Sequence, residues 1–281
     1  MIYCFDTSAI NRIHDDPVRE PIARGLTATC AVYVSALNII EACGTRDPLR
    51  RGSLISLQKR LSDTRRPLAT PNELLQELAI AHAHHRPDAQ ISITDKQEGI
   101  WITLNDPSQI DDAARQEALE WKHSLEAPFR EVHEKARFDF QNLFRKHKLP
   151  RLRTASGLIR HYCSSEDLLF QVVGDLYLRT TGSTLVAARI RQFLSEVPQW
   201  KLYLLGWAHA VFSRAIREQG YGAGRHAGTI DLSCAAYLPS CDWFVTDDNA
   251  QRRALRIINT FNSRRTRIIS YDEMRKRLLL G

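Results

Sequence analysis

Four short apolar runs, each followed by residues suited to starting a helix, frame this chain. Ile2-Tyr3-Cys4-Phe5 runs into Asp6-Thr7-Ser8, after which Ile10 and Ile13 share one helical face. Ala31-Val32-Tyr33-Val34 runs into Ser35, ahead of a helix holding Ala36, Leu37, Ile40 and Ala42. Towards the other end, Trp243-Phe244-Val245 leads through Thr246-Asp247-Asp248 into a helical stretch from Ala250 to Ile258. Arg267-Ile268-Ile269-Ser270 leads into a last helix from Asp272 to Leu280, and Ile230 to Tyr237 reads as one more helix. Unbroken apolar runs this short fit strands buried on both faces, and Asp, Ser and Thr after them supply cap oxygens. Strand–turn–helix units in this arrangement predict an α/β fold, with a parallel sheet built from both ends of the chain.

The middle of the chain follows another pattern. Ile91-Ser92-Ile93 and Ile100-Trp101-Ile102-Thr103-Leu104 alternate with period two around a polar turn, which predicts a small β-hairpin. From Asp111 to about Lys148, Ala118, Trp121, Leu125, Phe129, Val132, Ala136, Phe140 and Leu143 step by three or four, a long amphipathic helix with a kink expected near Pro128. Further helices are expected at about 166–180, 184–196 and 199–218, the first stopping near Gly182. Residues 1–80 and 219–281 therefore form the expected core, and 81–218 a mostly helical insertion.

Composition narrows the setting. In 281 residues, hydrophobic types make up 43% and charged types 25%, ordinary globular usage that excludes wholesale disorder. No apolar run is long enough to cross a membrane, and Asp6 interrupts an opening that lacks a basic leader, so neither a membrane span nor a secretory signal is expected. Six cysteines without a CxxC pair predict reduced thiols and a cytoplasmic setting. The formal net charge is +7, and the basic residues cluster. Arg145, Lys146, Lys148, Arg151 and Arg153 lie together, and Arg252 to Arg277 carries three more groups. Such clusters suit a polyanionic partner, although solvated helix faces would read the same way.

The acids sit where an α/β sheet gathers its chemistry. Asp6 and Asp247-Asp248 end strands, while Glu41 and Asp231 lie on helices that follow or precede strands. Loops at the carboxyl edge of a parallel sheet converge on ligands. Taken singly, each acid reads equally well as a cap, an Asx turn or a surface residue. Taken together, converging carboxylates repel unless a divalent cation neutralises them, and oxygen donors suit Mg²⁺ or Mn²⁺. Adjacent strand residues face opposite ways, so Asp248 shares a side with Thr246; if Asp248 leans into the site, strand alternation leaves Asp247 to cap the following helix or to contact the site from behind.

These segments also resemble a known family. Ile2-Tyr-Cys-Phe-Asp6-Thr-Ser-Ala-Ile10, Val34-Ser35-Ala-Leu-Asn38-Ile-Ile-Glu41-Ala, Gly228-Thr-Ile-Asp231-Leu-Ser-Cys-Ala235-Ala236 and Phe244-Val245-Thr246-Asp247-Asp248 resemble, in order, the four motifs of PIN-domain ribonucleases. Arg267-Ile-Ile-Ser-Tyr-Asp-Glu273 resembles their last strand and helix. The resemblance covers roughly residues 1–45 and 225–281. It implies a PIN-like parallel sheet flanked by helices and a Mg²⁺- or Mn²⁺-dependent endoribonuclease acting on single-stranded RNA. It further implies Asp6, Glu41, Asp231 and Asp248 as metal acids, Thr246 as the residue orienting the fourth acid or the attacking water, and Asp247 as an alternative ligand. Many such nucleases are toxins with an antitoxin, which leaves room for a protein partner or an oligomer. Glu41 and Asp231 lie 231 − 41 = 190 residues apart, much further than a compact PIN domain needs. The insertion that separates them departs from the family.

For nucleic-acid binding, the candidates are Lys146, Lys148, Arg151 and Arg153, with Arg225 and His226 ahead of Asp231. His82, His84 and His85 match no standard zinc spacing. Gly220 to Gly224 lacks the lysine of a phosphate loop and reads as a hinge. Trp200, Leu204, Trp207 and Val211 have core spacing, which outweighs a base-stacking role for the aromatic residues. A phosphatase of the haloacid-dehalogenase type would want an acid where Ser8 stands, and no GxSxG is present. The rival to a nuclease is a nucleic-acid-binding or scaffold protein that keeps the fold without catalysis.

Overall fold

The computed structural model describes residues 1–62, 67–86, 91–93, 98–147, 154–164, 166–213 and 228–280. Four strands, β1 (Ile2–Phe5), β2 (Ala31–Tyr33), β3 (Trp243–Val245) and β4 (Arg267–Ile269), form one parallel sheet in the order β2-β1-β3-β4. Ile2 pairs with Ala31 on one side of β1, and Tyr3 with Trp243 on the other. Both ends of the chain thus meet at the sheet centre, as the apolar runs predict. The order reverses between β1 and β3, which opens a crevice at their carboxyl ends.

The pleat divides the core. Cys4 and Phe244 face one hydrophobic cluster. Tyr3, Phe5, Trp243 and Val245 face the other. The second is covered by helices α1 (Thr7–Asp15), α2 (Arg19–Thr29) and α4 (Pro48–Leu61), through Ile10, Ile13, Ile22, Leu26 and Ile55. Helix α3 (Ala36–Cys43) straddles the divide, with Leu37 and Ile40 in the first cluster and Ile39 and Ala42 in the second. Its start is fixed by a capping box between Ser35 and Asn38.

Residues 81–218, read from the sequence as an insertion, share the first cluster with the sheet. After α5 (Pro71–Ala83), α6 (Glu98–Asn105), α7 (Asp112–His147) and α8 (Ala155–Ser164) come α9 (Glu166–Thr181), α10 (Ala187–Glu196) and α11 (Pro198–Val211). Leu202, Leu204 and Leu205 of α11 pack with Phe244 and Leu255, and Trp200 is buried with its indole N–H on the Leu75 carbonyl, 2.9 Å. The core reading of that helix therefore holds for Trp200, Leu204 and Val211, whereas Trp207 is only partly buried. Helix α9 ends at Gly182, whose φ of +72° is open to glycine at little cost. The chain closes with α12 (Thr229–Ser233), a 3₁₀ turn (Cys234–Ser240), α13 (Asn249–Asn259) and α14 (Tyr271–Leu280). All six cysteines are free, and among the described residues no helix is long and apolar enough to cross a membrane.

The expected hairpin is corrected. Residues Glu98–Asn105 are helical, because Ile100, Thr103 and Leu104 also obey the i, i+3, i+4 rule and that face is the buried one. Leu104 is buried while Ile102, half of the supposed alternation, is 50% exposed. Residues 91–93 are extended, but they pair with Leu68, which itself bridges to Ser35. Five residues contain too few periods to separate 2.0 from 3.6. The long helix is continuous through Pro128.

Candidate active site

Asp6 leaves β1 with its N–H donating to the Val245 carbonyl at 2.9 Å, which ties β1 to β3 at the point where the crevice opens. Its carboxylate caps α1, accepting from the Ser8 N–H at 3.0 Å and the Ser8 hydroxyl at 2.6 Å. Ser8 Oγ in turn accepts the Asp247 N–H at 2.9 Å. Across the crevice, Thr246 is fully buried. Its hydroxyl donates to Gln251 Oε1 at 2.5 Å, accepts the Asp248 N–H at 3.1 Å and lies 3.4 Å from Asp6 Oδ2.

Gln251, 1% exposed, is the residue that sequence reasoning missed. Its amide donates to the Asp231 carbonyl oxygen at 2.8 Å and to Asp6 Oδ1 at 3.3 Å. One side chain thus links β1, β3 and α12. It occupies the third position after the Asp248 cap, where a Gln usually folds back on its own helix. Asp248-x-x-Gln251 is that pattern, and it signals the helix start without revealing that this Gln turns inward.

Asp231, at the start of α12, accepts the Gly228 N–H at 2.6 Å. Burial pushes its carboxyl up to about 6; the Gly228 bond opposes this, and the charges of Asp6, Glu41 and Asp248 add to it. Asp6 is also raised, by burial first and by Glu41, against the hydrogen bonds from Ser8 and Gln251. Glu41, on α3, pairs with Lys122 of α7 at 2.9 Å. Burial depresses the Lys122 ammonium, but Glu41, Glu126 and Asp231 outweigh that and raise it. Glu41, Lys122, Glu126, Phe129, Ile230 and Asp231 line a cleft of about 210 Å³.

The structure therefore brings Asp6, Glu41, Thr246 and Asp231 to one region. It moves the helix cap from Asp247 to its neighbour. Asp248 caps α13, accepting from the N–H groups of Ala250 at 2.6 Å and Gln251 at 2.9 Å, and is exposed. Asp247, given the cap on strand alternation, pairs with Arg12 at 3.3 Å instead. The strand ends at Val245, so period two no longer applies at 247 and 248. Replacing Asp248 with Ala is expected to cost about 1 kcal/mol, whereas Asp248→Asn keeps the cap oxygen and costs little. Asp247→Ala removes only an exposed pair and stays within about 0.5 kcal/mol. Urea unfolding of the three variants tests the assignment, and a larger loss from Asp247→Ala would reverse it.

The oxygen donors suit a hard divalent ion in kind, and their mutual repulsion is what such an ion relieves. In placement, among the described residues no three His, Cys, Asp or Glu side chains gather closely enough to hold one ion. Glu41 is engaged by Lys122, and Asp6 by Ser8 and Gln251. His82 lies edge-on against Tyr177 and Phe193, with Nδ1 2.9 Å from the Tyr177 hydroxyl. Lys148, Arg151, Arg153, Arg225, His226 and the Gly220–Gly224 segment lie outside the described residues, as does the side chain of Lys146. Compared with protein-family models, curated proteins and solved structures, the chain matches none.

Proposed function

We propose that this protein is a Mg²⁺- or Mn²⁺-dependent endoribonuclease of PIN type that hydrolyses phosphodiester bonds of single-stranded RNA in the cytoplasm. The observation that carries the reading is the group Asp6, Glu41 and Asp231, drawn from both ends of the chain to the carboxyl edge of the sheet where the strand order reverses. Carboxylates raised by burial and by one another's charge, Asp6 by Glu41 and Asp231 by both, are costly to a fold, and functional sites are where such costs concentrate. In this proposal Asp6, Glu41 and Asp231 hold the ion, with Asp248 close enough to add charge. The ion supplies a water acidified for attack and positive charge for the phosphate oxygens.

The chain's own residues do the rest. Ser8 and Gln251 fix the two oxygens of Asp6, and Gln251 ties Asp231 to the same frame. Thr246 orients Gln251 through its hydroxyl, so it acts on the acids at second hand. Phe129 and Ile230 give the cleft an apolar wall against which a base or sugar can lie. The Lys146–Arg153 cluster, with Arg225 and His226, is the proposed track for the RNA backbone, and an antitoxin or a second copy remains a proposed partner.

The Lys122–Glu41 pair favours a second reading, a nucleic-acid-binding protein that keeps the fold without turnover. One assay separates them. Purified protein with an end-labelled unstructured RNA oligonucleotide should cleave with Mn²⁺ or Mg²⁺ and stop with EDTA. Cleavage that survives EDTA would sink the metal mechanism. Binding without cleavage at any metal concentration would select the second reading.

A further inference from the structure

The insertion reaches into the acidic site. Helix α7 packs against both α3 and α12, the helices that carry Glu41 and Asp231. From α7, Lys122 puts its ammonium 2.9 Å from Glu41 Oε1, with its side chain only partly exposed. Glu126, one helical turn further on, and Phe129 line the same cleft. An ammonium and a hard divalent ion cannot share one carboxylate oxygen without placing their charges a few ångströms apart in a partly dry cleft.

We infer that Lys122 is a built-in counter-cation of this site, which holds Glu41 in place of a divalent ion, so that the Lys122–Glu41 pair and metal loading exclude each other. The inference rests on the metal-site reading proposed above. It accounts for three acids that, among the described residues, stand too far apart to hold one ion while Asp231 still feels the charges of Asp6 and Glu41. The lysine has somewhere to go. Its flexible stem can turn to Glu126, an i, i+4 neighbour on its own helix. Through this exchange the insertion would set the metal affinity of a core from which it is distant in sequence.

Calorimetric titration of the full chain with Mn²⁺ alone tests this without measuring activity. Lys122→Met keeps the length and removes the charge, and Lys122→Gln provides a second neutral variant. Both should bind Mn²⁺ roughly two- to fivefold more tightly than the wild type, the range expected for losing one partly exposed ion pair. Lys59→Met is the control. It makes the same change in net charge on α4, where Lys59 donates to the Asn105 carbonyl and touches none of the site acids, and it should leave Mn²⁺ affinity unchanged. Equal or weaker binding in the Lys122 variants overturns the counter-cation and leaves the metal site standing. An equal gain in Lys59→Met also overturns it, as an effect of overall charge. No Mn²⁺ binding by any folded variant overturns both the counter-cation and the metal-site reading.

Discussion

Asp231→Asn should raise the melting temperature at pH 8 and abolish metal-dependent cleavage. The carboxyl of Asp231 sits at about 6, raised from 3.8 by burial and by Asp6, Glu41 and Asp248. Between those values the folded chain binds a proton that the unfolded chain has lost, so stability falls as pH rises from about 4 to 6. Above that window the ionised group costs the fold at most about 3 kcal/mol. Asparagine removes the charge and keeps an oxygen for the Gly228 N–H. The gain should be a few degrees at pH 8 and should vanish near pH 4. Melting curves at several pH values are the measurement, and a gain independent of pH, or a loss, would refute the assignment. In the proposed nuclease the same change removes a metal ligand. Stability gained together with activity lost would mark a residue retained for chemistry at the expense of the fold.

Gly206→Ala is expected to destabilise by about 1–3 kcal/mol, although alanine is the better helix former. A Cβ at Gly206 would lie 2.3 Å from the carbonyl oxygen of Leu232 and 3.6 Å from Ala235 Cβ. The neighbour is backbone, so α11 and α12 must separate. Since α12 carries Asp231, the site should loosen along with the fold. Gly52→Ala in α4 makes the same chemical change where a Cβ meets nothing within 4 Å. There the helix gains about 0.5–1 kcal/mol. Urea midpoints should therefore move in opposite directions. A shift of the same sign at both positions would mean that the α11–α12 approach does not constrain the fold.

Much of the fold is legible in the sequence because its signals are local. Each of the four strands is a short apolar run, and Asp6, Ser35 and Asp248 cap helices by bonding N–H groups two or three residues away. Legibility fails where two periods fit the same residues, as at Ile100 to Leu104, and where a strand ends one residue before the pattern of interest. That second failure put the cap of α13 on Asp247, where the structure has Asp248. One residue of register decides which side chain faces inward, and the strand end is set by pairing with β4, where the Thr246 N–H meets the Ile269 carbonyl at 3.1 Å.

The α/β class, the parallel sheet assembled from both ends and the acids near its strand ends and helices can all be read from the residues alone. Those features depend on hydrophobic period and on cap chemistry within a few residues. Long-range packing is what joins Gln251 to Asp6 and Asp231, sets Glu41 against Lys122 across 81 positions of sequence and lines the acidic cleft with α7. These contacts follow from how helices pack on the sheet. A glutamine or lysine on a polar helix face carries no local mark of the partner that packing will bring to it.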